Sequence, residues 1–309
     1  MSSPNVESSI SETALHVHAE TLAPERKVPA FATAFGCPRD PLNNRFVYLV
    51  VSARARGLSI GVNLNPDKYC NFDCVYCEVD RGVPAREQRL DVDVMASELQ
   101  EMLSLVHTGR IRERGWYGSL PDELLQLRHV ALSGDGEPTL CPNFAEVVQT
   151  VVHLRALSGF PFFKIVLITN ATGADQSQVQ QALSHFTKRD EIWAKLEAGT
   201  QAYMDKVNRA TVPLEKVMAN ILALGRQRPV VIQSLFPLIN GEEPSLDEID
   251  QFAKRLQDLI AAGAQISLVQ VYSATRPMAH SECGHMPLKS LSRIAQTVKR
   301  ATGLRVEVF

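Results

Sequence analysis

Leu58-Ser59-Ile60-Gly61-Val62-Asn63-Leu64 leads, through a short polar link, into Cys70-Asn71-Phe72-Asp73-Cys74-Val75-Tyr76-Cys77. The first stretch alternates: Leu58, Ile60, Val62 and Leu64 share one face and Ser59, Gly61 and Asn63 the other. That is the period of a β-strand with one apolar side. The second stretch packs three thiols into eight residues. Deprotonated cysteines held this close on a curled loop can wrap one side of a small metal centre, and one coordination position stays open.

The open position separates the readings. A structural zinc site is closed by four ligands, and no second Cys-x-x-Cys and no neighbouring His completes this run. The distant His280, Cys283 and His285 could close such a site; solvated loop residues are the alternative for them. A [4Fe-4S] cluster held by three cysteines instead keeps one iron free for an outside ligand. A structural or fortuitous cysteine cluster is the remaining alternative.

Outward from this stretch, short β-type runs alternate with amphipathic helical patterns, the signature of parallel βα units. The strands read as Leu58–Leu64, His129–Ser133, Phe163–Thr169, Glu191–Ala198, Val230–Phe236 and Gln265–Tyr272. Six units are too few for a closed eight-fold barrel. In Trp193-Ala194-Lys195-Leu196-Glu197, the apolar residues Ile192, Ala194 and Leu196 suit the helix-covered outside, so Trp193, Lys195 and Glu197 point inward. His129, Ala131 and Ser133 repeat the pattern. The parity predicts a lumen of small and polar residues, a ligand chamber more than a packed core. Catalytic loops of βα barrels gather at strand C-terminal ends, which brings the cysteine loop and the segment after Ser133 to one rim.

Residues 1–28 read as a disordered tail, 29–57 as an N-terminal cap, and 58–309 as the core barrel with a C-terminal extension. The chain has 309 residues, 45% of them hydrophobic, enough for a barrel-sized core. No stretch approaches the ~18 apolar residues of a membrane helix, and no secretory signal is visible, so a cytoplasmic location is expected. Six cysteines with three clustered favour metal use over a disulfide framework. A net charge of −2 gives no footprint for a polyanion such as tRNA.

Cys-x-x-x-Cys-x-x-Cys with Tyr76 before the last Cys resembles the signature of the radical S-adenosylmethionine (SAM) superfamily. Ser133-Gly134-Asp135-Gly136-Glu137-Pro138-Thr139-Leu140 resembles its Gly-Gly-Glu segment, with Asp135 departing from the pattern. The resemblance implies an α/β fold, a partial (βα)6 TIM-like barrel open at one side, here with an N-terminal extension. It implies a [4Fe-4S] cluster on Cys70, Cys74 and Cys77, chelation of the open iron by SAM, and reductive cleavage to a 5′-deoxyadenosyl radical that abstracts hydrogen from a substrate. Gly136 and Glu137 would hold the methionine amine, Tyr76 would pack near the adenine, and Glu197 would meet the ribose. Asn170 and Tyr272 would also line the cofactor site. Lys195 is the candidate catalytic residue, pairing with the SAM carboxylate or the substrate. An external donor of flavodoxin or ferredoxin type would supply electrons.

Within the superfamily, residues 58 to 300 resemble proteins related to the wyosine-forming tRNA-modifying synthases. The shared phrases include Trp193-Ala194-Lys195-Leu196-Glu197-Ala198-Gly199-Thr200 and Asn208-Arg209. The expected substrate is a small molecule or nucleoside. The alternatives are tRNA-base modification, radical installation on a partner protein, and non-catalytic metal binding. Lys195 and Glu197 could instead form a structural ion pair. Cys37 and Cys141 read as isolated thiols, and Arg276-Pro277 as either a turn or an anion contact.

Overall fold

The computed structural model describes residues 39–157, 159–275, 278 and 280–309. The expected tail, the first part of the cap, Cys37 and Arg276-Pro277 lie outside the described residues. In chain order the elements are β1 (Val47–Ser52), β2 (Gly57–Asn63), α1 (Val92–His107), β3 (Leu127–Ser133), α2 (Phe144–Leu157), β4 (Lys164–Thr169), α3 (Ser177–Leu183), β5 (Glu191–Lys195), α4 (Gln201–Val207) and α5 (Leu214–Gln227). There follow β6 (Val230–Leu235), β7 (Leu238–Ile239), α6 (Leu246–Ala261), β8 (Ile266–Tyr272), β9 (Cys283–Gly284), α7 (Leu288–Thr302) and β10 (Val306–Val308).

One sheet of eight strands runs in the order β1-β2-β3-β4-β5-β6-β8-β10. The strand pairs from β2 to β10 are parallel, as βα crossovers require, and β1 alone pairs antiparallel. The six expected strands are β2, β3, β4, β5, β6 and β8, and the sheet curls into the partial TIM-like barrel. β1, inside the segment read as a cap, forms because Val47, Leu49 and Val51 bury against the helix layer while Tyr48, Val50 and Ser52 face inward.

The outer face is a continuous apolar core. Leu58, Ile60, Val62, Val130, Leu132, Ile192, Ala194 and Leu196 all join it, packed with Met95, Leu99, Val147, Val151, Phe252 and Ile294 from the helices. Helix starts are fixed by side-chain caps: Asp91 accepts from Asp93 N and Val94 N at 3.1 Å, and Ser245 accepts from Glu248 N at 3.1 Å.

The inner face differs from the expected polar chamber. Val166, Trp193 and Val231 pack together with Ile168 and Leu268, filling part of the lumen. His129 packs edge-on against Trp193 at 5.2 Å and shares a 2.8 Å hydrogen bond with Ser59 Oγ. β-strand parity sets which side a residue faces, but whether that side is hollow depends on what arrives from the other strands. The open side is spanned at the β1–β2 turn, where Arg56 pairs with Glu307 at 3.3 Å and Arg54 stacks on the Tyr272 ring at 4.2 Å.

Candidate functional site

The cysteine loop leaves the end of β2 and is sewn to the far side of the barrel mouth. Asp73 N donates to Asn208 O at 3.0 Å, Val75 N to Val207 O at 2.9 Å and Thr211 N to Asn71 O at 3.2 Å. Phe72 and Val75 anchor it by burial. Each sulfur accepts an N–H at 3.4 Å: Cys70 from Phe72 N, Cys74 from Asn208 Nδ2 and Cys77 from the Arg81 guanidinium. Burial raises the Cys70 thiol and pushes the Cys74 thiol up to about 12, with the Lys195 charge opposing it at Cys74. Among the described residues no three His, Cys, Asp or Glu side chains are gathered as a ready-made metal set. The donor chemistry nevertheless fits a thiolate-bound centre: three free thiols on one loop, each supplied with the N–H donor that a ligated thiolate uses.

The segment after β3 meets this loop closely. Glu137 N donates to Tyr69 O at 3.1 Å, and a Cβ on Gly136 would stand 1.8 Å from the same carbonyl oxygen, so only glycine fits there. Asp135 is explained by a neighbour: its carboxylate accepts from Asn63 Nδ2 at 2.8 Å, and its N–H donates to Asn63 Oδ1 at 2.9 Å. The buried Glu137 carboxylate accepts from Thr139 N at 3.1 Å, Thr139 Oγ1 at 2.6 Å, Asn170 N at 2.7 Å and Thr169 Oγ1. Three of these donors reach Oε1 and one reaches Oε2, which keeps one lone-pair direction free. Burial raises the Glu137 pKa against these bonds. Asn170 continues the network, donating to Asn71 Oδ1 at 3.0 Å and accepting from Thr172 Oγ1 at 2.7 Å.

The opposite side of the mouth is built at the end of β5. Tyr76 Oη donates to Glu197 Oε1 at 2.7 Å, and Asn208 Nδ2 donates to Glu197 Oε2 at 3.0 Å. The same amide nitrogen lies 3.4 Å from both Cys74 Sγ and Tyr76 Oη, so Asn208 links thiol, phenol and carboxylate. Burial raises the Glu197 pKa, with Lys195 opposing it. Lys195 Nζ sits 5.0 Å from the Tyr76 ring centroid and makes no hydrogen bond or ion pair among the described residues, so the structural ion pair with Glu197 is not formed. Burial works against the Lys195 charge, but Tyr272, Glu197 and the Cys74 and Cys77 thiols outweigh it and lift its pKa above the ordinary value. Tyr272 joins Tyr76, Val75 and Val207 in one apolar cluster.

Thus Cys70, Cys74, Cys77, Tyr76, Gly136, Glu137, Asn170, Lys195, Glu197 and Tyr272 all meet at the strand-end rim. His280, Cys283 and His285 do not converge: His280 lies 3.4 Å from Asp73 Oδ1, His285 meets Ala274 O at 2.9 Å, and Cys283 is buried in the apolar cluster. Cys141 borders a separate cavity of about 260 Å³ with Asn65 and Arg89. Sequence reasoning passed over Asn208 and Arg81 as site residues. Asn208 stood in a quoted phrase, but its contacts with Cys74 and Tyr76 come from a segment more than a hundred residues away in sequence.

No protein-family model matches the chain. A UPF0026 protein of Helicobacter pylori is 27% identical over 233 residues, covering 74% of this chain and 67% of that protein. The S-adenosyl-L-methionine-dependent tRNA 4-demethylwyosine synthase of Saccharomyces cerevisiae is 28% identical over 153 residues, 48% of this chain but only 17% of that enzyme. Among solved structures, Streptococcus suis SuiB bound to S-adenosylmethionine aligns with a TM-score of 0.53 at 13% identity, over 79% of this chain and 49% of that one. TYW1 with a lysine-pyruvate adduct bound aligns at 0.51 and 15% identity, over 83% and 84%. Those two share the fold. No helix among the described residues is long and apolar enough to cross a membrane. With its cysteine loop and its Gly136-Glu137 segment brought to one rim of a partial barrel, the chain is similar in sequence to UPF0026 proteins and, over about half its length, to the tRNA 4-demethylwyosine synthases, and it has the fold of SuiB and TYW1.

Proposed function

We propose that the rim holds a [4Fe-4S] cluster through Cys70, Cys74 and Cys77, binds SAM beside it, and acts on an organic substrate in the lumen. The observation that carries this reading is the three N–H-bonded thiols facing a rim with two buried carboxylates, Glu137 and Glu197. When bound, the cluster supplies the electron for reductive cleavage of SAM, and an external flavodoxin or ferredoxin delivers that electron.

This chain's residues orient and shield. The free direction on Glu137 Oε2 suits the methionine ammonium, and Lys195 suits the carboxylate of SAM or of the substrate. Glu197, held by Tyr76 and Asn208, has acceptor capacity left for ribose hydroxyls. Tyr76 and Tyr272 supply the apolar wall for the adenine and exclude water. Asn170 acts through its neighbours, bracing the cysteine loop by way of Asn71.

The substrate is a small molecule or a nucleoside. A second reading, modification of a tRNA base, is favoured by the yeast relative's activity, although that relative is covered over only 17% of its length.

Anaerobic reconstitution tests the cluster. Wild-type protein should carry about four iron and four sulfide, and Cys70→Ala, Cys74→Ala and Cys77→Ala should each lose them, while Cys141→Ala and Cys283→Ala should not. Iron that stays at the wild-type level in all three loop variants would overturn the ligand assignment.

A further inference from the structure

Two arginines stack on tyrosines of the inner face, Arg39 on Tyr48 and Arg54 on Tyr272. Tyr48 lies opposite Gly61 in the β1–β2 pairing and covers it so closely that a Cβ there would fall 2.1 Å from the ring. Its hydroxyl meets Ser133 Oγ at 2.7 Å, fixing the ring on the inner face, and the Arg39 guanidinium stacks on it at 4.2 Å. Arg54 stacks at 4.2 Å on Tyr272, whose neighbours Val269 and Val271 face the helix layer. Burial, Lys164 and Arg54 together push His129 on β3 down to about 3.

Neither guanidinium makes an ion pair or a hydrogen bond among the described residues, and the Nε atoms of both are buried without a partner. A buried donor on a permanent cation is costly to leave unpaired. A guanidinium held against a tyrosine face still has its N–H donors, and such a fork of donors suits an oxyanion. Other charges inside the curl are spoken for: Lys164 is paired with Glu191 at 2.7 Å, and Lys195 belongs to the rim.

We infer that Arg39 and Arg54, each stacked on a tyrosine, recognise an oxyanion group of the substrate, a phosphate or a carboxylate. The inference rests on the reading of the lumen as the substrate chamber. It deepens that reading by requiring an anionic substrate despite the chain's own net negative charge.

Isothermal titration of the reconstituted, SAM-loaded protein at low ionic strength tests it, with inorganic phosphate in one arm and acetate in the other. Saturable binding is expected in at least one arm, and the tighter arm identifies the group. Arg54→Gln and Arg39→Gln should each weaken binding at least tenfold, while Arg112→Gln, at an exposed turn, should change it less than twofold. Arg54→Lys keeps the charge and loses the fork. It should fall between wild type and Arg54→Gln, which keeps the test decisive if the glutamine variant unfolds. No saturable binding in either arm, or equal affinity in wild type and both arginine variants, would overturn the oxyanion site. Iron content is read on the same samples. Full iron without anion binding sinks this inference alone, and anion binding without iron sinks the cluster reading alone.

Discussion

Two buried carboxylates, Glu137 after β3 and Glu197 after β5, stand at the barrel mouth, and their surroundings differ. Glu137 receives four protein hydrogen bonds, from Thr139 twice, Thr169 and Asn170. Glu197 receives two, from Tyr76 and Asn208, and stands next to Lys195, which has no ion pair among the described residues. The first corner spends most of its polar capacity on joining β3 to β4 and keeps one acceptor direction on Oε2. The second holds capacity in reserve. A buried charge that the protein largely satisfies itself serves architecture as well as a ligand, and one with fewer protein partners, beside a cation that has no partner among the described residues, is chiefly a place for a ligand.

Removing the closed corner's carboxylate should have the larger effect on folding. Glu137→Ala strands four donors in the interior and should destabilise the protein by about 3–5 kcal/mol, the range for breaking a buried charged network. Chemical denaturation should read this loss, with iron incorporation falling in parallel because the carboxylate fixes the segment whose backbone braces Tyr69, next to Cys70. A variant as stable as wild type would make Glu137 a ligand contact first, and the distinction between the corners would collapse.

The open corner should respond in turnover more than in folding. Lys195→Met replaces the long apolar stem at similar volume and removes no ion pair, so unfolding should shift by less than about 1 kcal/mol. SAM cleavage, or its coupling to substrate, should fall at least tenfold, or roughly 1.4 kcal/mol at the rate-limiting step. Glu197→Gln should show the same split in milder form, because an amide can still accept from Tyr76. Folded single variants with full activity would assign both residues to structure.

Much of this was legible in the chain and part was not, for physical reasons. The alternation in Leu58–Leu64 and the parity of Trp193, Lys195 and Glu197 depend only on local backbone geometry, and the structure places these faces as read. β1 was hidden because its hairpin turn carries arginines that look like a polar cap, although Arg54 and Arg56 in fact span the open side of the barrel. The packed part of the lumen was also hidden, since Val166, Trp193 and Val231 meet only once three strands are side by side. The motif marked Glu137 and its neighbour Thr139, but two of its four donors arrive from the end of the next strand, and no spacing rule announces Thr169 and Asn170 as its partners.

The most direct measurement of the central claim is product analysis. Reconstituted protein, reduced with dithionite under anaerobic conditions and given SAM, should release methionine and 5′-deoxyadenosine in equal amounts, slowly without substrate. Cys74→Ala should release neither. Wild-type protein with a full iron count that produces no 5′-deoxyadenosine, even with phosphate- and carboxylate-bearing nucleosides present, would contradict the assignment of this rim to SAM chemistry.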